Sequence, residues 1–326
     1  MARGPRNLSD IGETALIERI ARRAGRAPGR DWALGIGDDA AVLRPRPGEE
    51  IVLSTDAVVE DVHFRLDRET PRVVGRRALV ANLSDLAAMG ARPVGCLLSM
   101  ALPRALPVSV FDALVAGVVE ESERHACPLV GGNLSAAGAC SLTLTVVGAS
   151  PRGRALRRGR VRAGDRLFVT GVLGAGALAR RRADLSGGRL RYVPTPRLEA
   201  GRALARMPAT TGCLDLSDGL VPDLVHLLAG TGLGAAVDAS ALPRQRGFDA
   251  ACRRLGVDPL ELLSTGGEDY ELLFALRGRA QGAGGRSRPG EAELSRRLGV
   301  EVREIGRVVA RPGLQGLPAE AVAHHF

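Results

Sequence analysis

The sequence predicts an α/β (or α+β) fold built as two domains. Three observations carry that expectation. At 326 residues the chain exceeds one ordinary hydrophobic core. Strand-like and helix-like segments are mixed in both halves. The stretch 149–165, ASPRGRALRRGRVRAGD, holds few large apolar residues and stands just before a fresh strand pattern. The domains expected are therefore residues 1–150 and 151–326.

In chain order, SDIGETALIERIARRA (9–24) reads as a helix. Ser9 or Asp10 can cap it, Glu13 completes a capping box with Asp10, and Ile11, Leu16 and Ile20 share a face. The run Ile51, Val52, Leu53 reads as a buried strand that stops at three oxygen-bearing side chains, Ser54, Thr55 and Asp56. A second helix opens at Thr70-Pro71 and closes before Gly90 and Pro93. Strand patterns follow at 94–101 and 141–147, with a third helix over 108–126 between them. Beyond the boundary come the strand RLFVT, the turn GVLGAGALA and an Ala-rich helix, an order too common in α/β proteins to indicate phosphate binding by itself. Later strands are expected near 213–216, 234–238, 271–276 and 303–309. No internal repeat is visible.

Composition narrows the function. No run approaches the roughly 20 apolar residues of a membrane span, and the N-terminus MARGPRNLSD has no signal-peptide core. Together with five widely spaced cysteines that form no CxxC pair, this suits a cytoplasmic protein. The net charge is +9, and each of the 45 basic residues is Arg. With no Lys, a Walker A loop, a protein-kinase strand lysine and a Schiff base are all excluded. Aromatic residues make up 3% of the chain, which leaves few stacking platforms for nucleic acid. The Arg-rich stretches 152–162 and 180–182 read as solvated faces that could also hold phosphates.

Four motifs place aspartates where structure alone has little use for them. GIGDDAAVL (35–43) sets Asp38 and Asp39 between a glycine turn and an apolar strand. STD (54–56) ends a strand. NLSDLAAMGA (82–91) puts Asp85 inside an otherwise apolar helix, where burial is costly without a partner. DLSDG (215–219) places Asp215 and Asp218 around Ser217 before a helix. A cap or turn role is available to each alone. Four together, with hydroxyls beside them, form a set of hard oxygen donors of the kind Mg²⁺ accepts, and Mg²⁺ so held usually accompanies polyphosphate. LVGGNLS (129–135) adds a strand ending in two glycines that can approach a phosphate, and STGGEDYELLF (264–274) a Gly-Gly turn carrying Glu268 and Asp269.

Taken in order, GIGDDAA, STD with a downstream VHF, NLSDLAAMGA, a VGG turn, DLSDGL and GGEDYEL resemble the thiamine-monophosphate kinase family, within the wider superfamily of aminoimidazole-ribonucleotide-synthetase-like enzymes. The resemblance runs from about residue 8 to about 276. It implies ATP-dependent phosphorylation of thiamine monophosphate to thiamine diphosphate, with Mg²⁺. It also implies an N-terminal domain that binds ATP and Mg²⁺ and pairs in a homodimer, and a C-terminal α/β domain completing the active-site groove. Asp39, Ser54, Thr55, Asp56 and Asp85 match the family's metal ligands in the first domain, and Asp215 and Asp218 those in the second. Gly132 and Ser217 match ATP contacts, and Arg158, adjoined by Arg157, resembles the family's ATP-binding Arg. His63 and Glu268 match contacts to the acceptor.

The sequence departs from the family at two places. Asn133 stands where the family has a metal-binding Asp, and Ala323, in the terminal EAVAHHF, stands near the position of an aromatic. An acceptor phosphate is already ionised at neutral pH, so in-line attack on the γ-phosphorus needs no general base and no phospho-enzyme. The rival readings are another ATP-using enzyme of the superfamily and, from a different class, a basic nucleic-acid-binding protein. A steep salt dependence of nucleic-acid binding would identify the second.

Overall fold

The computed structural model describes residues 6–25, 30–278 and 289–318. The chain folds as two compact units. The first comprises residues 1–86, 92–152 and 187–193, and the second 87–91, 153–186 and 194–326.

In the first unit a 3-10 turn at Leu8–Asp10 precedes α1 (Glu13–Ala24). The expected helix thus starts later, with Gly12 as its N-cap, because Asp10 is used upstream, where its carboxylate accepts from the Asn7 amide at 2.9 Å. Then follow β1 (Trp32–Leu34), β2 (Val42–Leu43), β3 (Glu49–Val59), α2 (Pro71–Ala88), β4 (Arg92–Leu102), α3 (Val108–Arg124), β5 (Leu129–Ala136) and β6 (Ser141–Pro151). The main sheet has the order β3-β6-β4-β5, antiparallel except for the parallel β4–β5 pair. α2 lies over the face that carries Ser54 and Asp56 of β3, where Leu79, Leu83 and Leu86 are fully buried. On the opposite face the β1–β2 hairpin seats Trp32 in a cluster with Val94, Val130, Val147 and Ala149. Its indole Nε1 donates to the Val94 carbonyl at 2.9 Å.

Two strand expectations need correction. β3 does not stop at Ser54-Thr55-Asp56 but continues to Val59, paired with β6 along its whole length from Glu49↔Pro151 to Val59↔Ser141. Nor is it buried. It is an edge strand, and alternation turns Ile51 and Leu53 to the hairpin face, where Leu53 is 66% exposed. Likewise the glycines of LVGGNLS do not end their strand, since Gly131 and Gly132 pair with Leu97 and Leu98 inside β5.

The second unit contains β7 (Arg166–Thr170), α4 (Ala175–Ser186), α5 (Leu198–Ala205), β8 (Thr210–Asp215), α6 (Leu220–Leu228), β9 (Gly234–Val237), α7 (Phe248–Leu255), α8 (Pro259–Thr265), β10 (Leu272–Leu276), α9 (Glu291–Leu298), β11 (Val302–Val309) and β12 (Gly313–Gln315). Its sheet has the order β12-β9-β11-β7-β10-β8, with β12–β9 as its parallel pair. Alternate residues of the central strands feed two cores. Leu167, Val169, Leu273 and Ala275 join the large cluster with α6 and α7, while Phe168 and Phe274 stack at 5.3 Å on the other side. Burial on both faces explains why LLFAL is an unbroken apolar run. Helices and strands mix as expected, and because antiparallel pairing dominates both sheets, the α+β form of the expectation is the one realised.

Candidate active site

In the first unit the carboxylate motifs meet on the α2 face of the sheet. Asn82 and Asp85 are three residues apart on α2 and so share a side of the helix. Ser54 Oγ donates to Asp85 Oδ2 at 2.5 Å, and the Asp56 amide donates to Asn82 Oδ1 at 3.1 Å. Asn82 is itself fixed, because its Nδ2 donates to the Ala78 carbonyl at 3.0 Å. The strand period puts Ser54 and Asp56 on the same face two residues apart, so their side chains and Asp85 present oxygen donors to one region. In the same register lie Leu144, Leu98 and Gly132 across the sheet from Asp56. A Cβ on Gly132 would lie 1.8 Å from the Leu98 carbonyl oxygen, so only glycine lets β5 run this close to β4. Asn133 follows, exposed, beside Ser99.

Not every expected residue joins this group. Thr55 points to the other face, where its hydroxyl donates to the Leu144 carbonyl at 3.1 Å and lies 3.0 Å from Thr145 Oγ1. Its side chain is therefore not aligned with those of Ser54 and Asp56. Asp39 is exposed in the loop between β1 and β2, its amide donating to Asp38 Oδ1 at 2.9 Å, and is not hydrogen-bonded to the Ser54–Asp85 pair. His63 sits past the end of β3, folded back so that the Val59 amide donates to its Nδ1 at 3.2 Å. That bond leaves Nε2 as the proton-bearing, donating nitrogen of the neutral ring. Val59 lies three residues beyond Asp56, about 10 Å along an extended strand.

In the second unit β8 delivers Asp215 to the end of the sheet, 5% exposed, and the DLSDG loop leads into α6. Asp223, one turn into α6 and 3% exposed, accepts from the amides of Asp218 and Gly219, both at 3.2 Å. Burial pushes its carboxyl up to about 7, and the charges of Asp218 and then Asp215 add to the rise. Three carboxylates thus share one electrostatic field. Asp223 is not among the residues that the motifs single out. Its signal was an Asp in the first turn of a helix whose other residues there are Leu220, Val221 and Pro222.

The GGEDYE segment lies against that loop. The Glu268 amide donates to the Ser217 carbonyl at 2.8 Å, and the Tyr270 amide to that of Leu216 at 2.9 Å. Ser217 and Glu268, expected at the nucleotide and the acceptor, are therefore backbone neighbours. The Glu268 carboxylate is ion-paired with Arg180 of α4. Asp269 turns inward and accepts from the amides of Gly174 and Gly176 at 2.6 and 3.0 Å. Burial pushes Asp269 up to about 7 despite those amides. This occupancy settles the status of the GVLGAG turn, because a side chain of the protein already fills the anion-binding end of α4. Glu271, 3% exposed, is held by Arg197 and by Thr170, whose hydroxyl donates at 2.7 Å. Arg158 is exposed, in a segment where the Arg157 carbonyl accepts from the Cys213 amide of β8 at 3.3 Å.

Among the described residues, no three His, Cys, Asp or Glu side chains are arranged to hold a metal ion by themselves. Also among them, no helix is long and apolar enough to cross a membrane. Ala323 and the terminal EAVAHHF lie outside the described residues.

Comparison with known proteins points to the family that the motifs resemble. Residues 37–150 match the family model described as AIR synthase related protein, N-terminal domain. Over 278 residues the chain is 36% identical to the thiamine-monophosphate kinase of Mycobacterium tuberculosis, covering 83% of this chain and 82% of the relative. The solved thiamine-monophosphate kinase of Stenotrophomonas maltophilia superposes with a TM-score of 0.77 at 35% identity, over 95% of this chain and 98% of that one. A further solved structure, AaThiL complexed with AMPPCP and TMP, superposes with a TM-score of 0.70 at 27% identity, over 98% and 97% of the two chains. On the extent of this similarity, the chain belongs to the thiamine-monophosphate kinase family.

Proposed function

We propose that the chain transfers the γ-phosphoryl group of ATP to the phosphate of thiamine monophosphate, giving thiamine diphosphate and ADP. The observation that carries this is the oxygen-donor group formed by Ser54, Asp56 and Asp85 in a member of this family. A phosphate oxygen of the acceptor attacks the γ-phosphorus, the bond to the β-phosphate oxygen breaks, and no proton needs to be removed from the acceptor. No general base is called for, in keeping with a His63 whose Nδ1 is spent on a backbone amide. The direct test is incubation with Mg-ATP and thiamine monophosphate, resolving thiamine diphosphate from free phosphate by chromatography.

Mg²⁺ is the cofactor these residues fit. The donors are carboxylate, hydroxyl and carboxamide oxygens, and the mutual field of Asp215, Asp218 and Asp223 is one that a cation would relieve. Mg²⁺ is commonly held by one or two carboxylates together with waters and substrate phosphates, which suits groups that, among the described residues, do not bring three His, Cys, Asp or Glu side chains together. Asp56, Asp85 and Ser54 would hold it in the first unit, with Asp39 and Asn133 as further ligands and Thr55 restricted to its backbone carbonyl. Asp215 and Asp218 would hold it in the second. Bound there, the ion neutralises phosphate charge. Gly132, Ser217 and Arg158 are assigned to ATP, and His63 and Glu268 to the acceptor.

Two outcomes check these assignments. Asn at 133 keeps a carbonyl oxygen but lacks a charge, so Asn133→Asp should lower the Mg²⁺ concentration at half-maximal turnover. Superimposable titrations would mean that Asn133 is not a ligand. His63→Ala should raise KM for thiamine monophosphate while leaving the pH profile flat near 6.5. Loss of a pH limb there would assign His63 to proton transfer.

A homodimer formed through the hairpin face of the first unit is also part of the proposal. Leu53 and Ile51 on an edge strand, with Leu34 and Val42 on the hairpin, leave large apolar side chains exposed there. The location proposed is the cytoplasm, where ATP is supplied.

A further inference from the structure

The GGEDYE segment carries a backbone feature that acceptor binding alone does not require. Glu268 and Tyr270 both have positive φ, 67° and 52°, in the left-handed region that L residues enter at a cost. Asp269 sits between them. Such strain persists where surrounding contacts over-determine it, and here they come mainly from α4. The N-terminal amides of α4 take the Asp269 carboxylate, and Arg180, farther along the same helix, takes that of Glu268. Gly176 closes the contact, because a Cβ there would lie 2.7 Å from the Glu268 carbonyl oxygen.

We propose that Asp269 is a positioning residue for the phosphoryl acceptor: anchored on the first amides of α4, it holds Glu268 in the left-handed conformation that orients the Glu268 carboxylate. This rests on the assignment of Glu268 to the acceptor. The side chain of Asp269 is 6% exposed and faces inward, so it does not touch substrate itself. Its effect passes through the one peptide bond that joins it to Glu268. Through the bond from the Glu268 amide to Ser217, the same anchor also sets how the GGEDYE segment abuts the DLSDG loop. The two carboxyl groups of the motif thus have different roles, Glu268 part-exposed and paired with Arg180, and Asp269 inward as the fixing point.

The test is a kinetic double-mutant cycle on Glu268→Gln and Asp269→Asn. Each single change should raise KM for thiamine monophosphate about fivefold or more, the scale of one lost hydrogen bond, with smaller changes in kcat and in KM for ATP. The double variant should be no worse than the weaker-binding single, because both act on one contact. Gly176→Ala keeps the Asp269 side chain but crowds the Glu268 carbonyl and, through the Gly176 amide, the Asp269 anchor itself; it should raise the same KM, and it decides the matter if Asp269→Asn does not fold. If Glu268→Gln leaves KM for the acceptor unchanged, the assignment of Glu268 fails and this proposal with it. If Glu268→Gln raises KM while Asp269→Asn and Gly176→Ala do not, Asp269 is not a positioning residue. Multiplying effects in the double variant, or an equal rise in KM for ATP, would also overturn the proposal, since either marks a general structural role.

Discussion

Replacing Asp85 by Asn should lower turnover by at least about a hundredfold while leaving the thermal transition close to that of the parent. Asn has the shape of Asp, and its carbonyl oxygen can still accept from Ser54 Oγ, the contact that pins α2 to β3. What the change removes is charge, at a point proposed to gather cations around phosphates. Loss of a main electrostatic stabiliser of a phosphoryl transition state costs about two to three powers of ten. Asp56→Asn should behave alike, since its backbone contact with Asn82 does not involve the carboxylate. Ser54→Ala leaves both charges and removes one hydroxyl, so its loss should be smaller. Near-normal turnover in both Asn variants would remove the proposed site, whereas a fall in turnover together with a collapse of stability would show only that the residues are structural.

These variants test a site that was partly visible in the sequence. Asp85 stood out because a carboxylate in an apolar helix needs a partner, and one partner is Ser54 of the neighbouring motif; Asp56 stood out as the last of three oxygen-bearing side chains after an apolar run. The same sequence misled about β3. Three polar residues after Ile51, Val52 and Leu53 looked like a strand's end, although alternation permits one face of an edge strand to be polar and the other exposed. Period two would also have separated Thr55 from Ser54 and Asp56, had the strand been followed to Val59. The strands β1 and β2, three and two residues long, are too short for any period to register, so the placement of the Asp39 loop on the Trp32 hairpin was not legible.

The second unit shows the complementary limit. A glycine-rich turn before a helix is the same in sequence whether phosphate or an internal carboxylate occupies it. Here the occupant, Asp269, comes from 95 positions beyond Gly174, a pairing that no local pattern discloses. The motif GGEDYE was legible as a site because of Glu268, yet Asp269 is spent on the backbone amides of α4, and Glu271 on Arg197 and the Thr170 hydroxyl. Part of what looks like chemistry in a cluster of acidic residues is support for one member of it.

Asp223 carries the prediction with the most definite dependence on pH. In the fold its carboxyl titrates near 7, against an ordinary value of 3.8, and burial is the larger cause. Below the ordinary value the group is protonated in both folded and unfolded chains and has no influence on stability. Between the two values the folded chain keeps a proton that the unfolded chain has released, so stability falls as pH rises through this window and levels off above about 7. The penalty at its plateau is on the order of 4 kcal/mol, since each tenfold change in proton affinity between the two states corresponds to about 1.4 kcal/mol. Asp223→Asn removes it while keeping an oxygen for the amides of Asp218 and Gly219. The variant should therefore unfold several degrees above the parent at pH 8 without Mg²⁺, and the gap should shrink by pH 5 and vanish near pH 4. Asp269 titrates in the same sense but is present in both proteins, so the difference isolates Asp223. If Asp215 and Asp218 hold Mg²⁺, the ion relieves part of the field on Asp223, and saturating Mg²⁺ should raise the parent's transition more than the variant's. A gap that stays the same from pH 5 to pH 8 would mean that Asp223 is not carrying a buried charge.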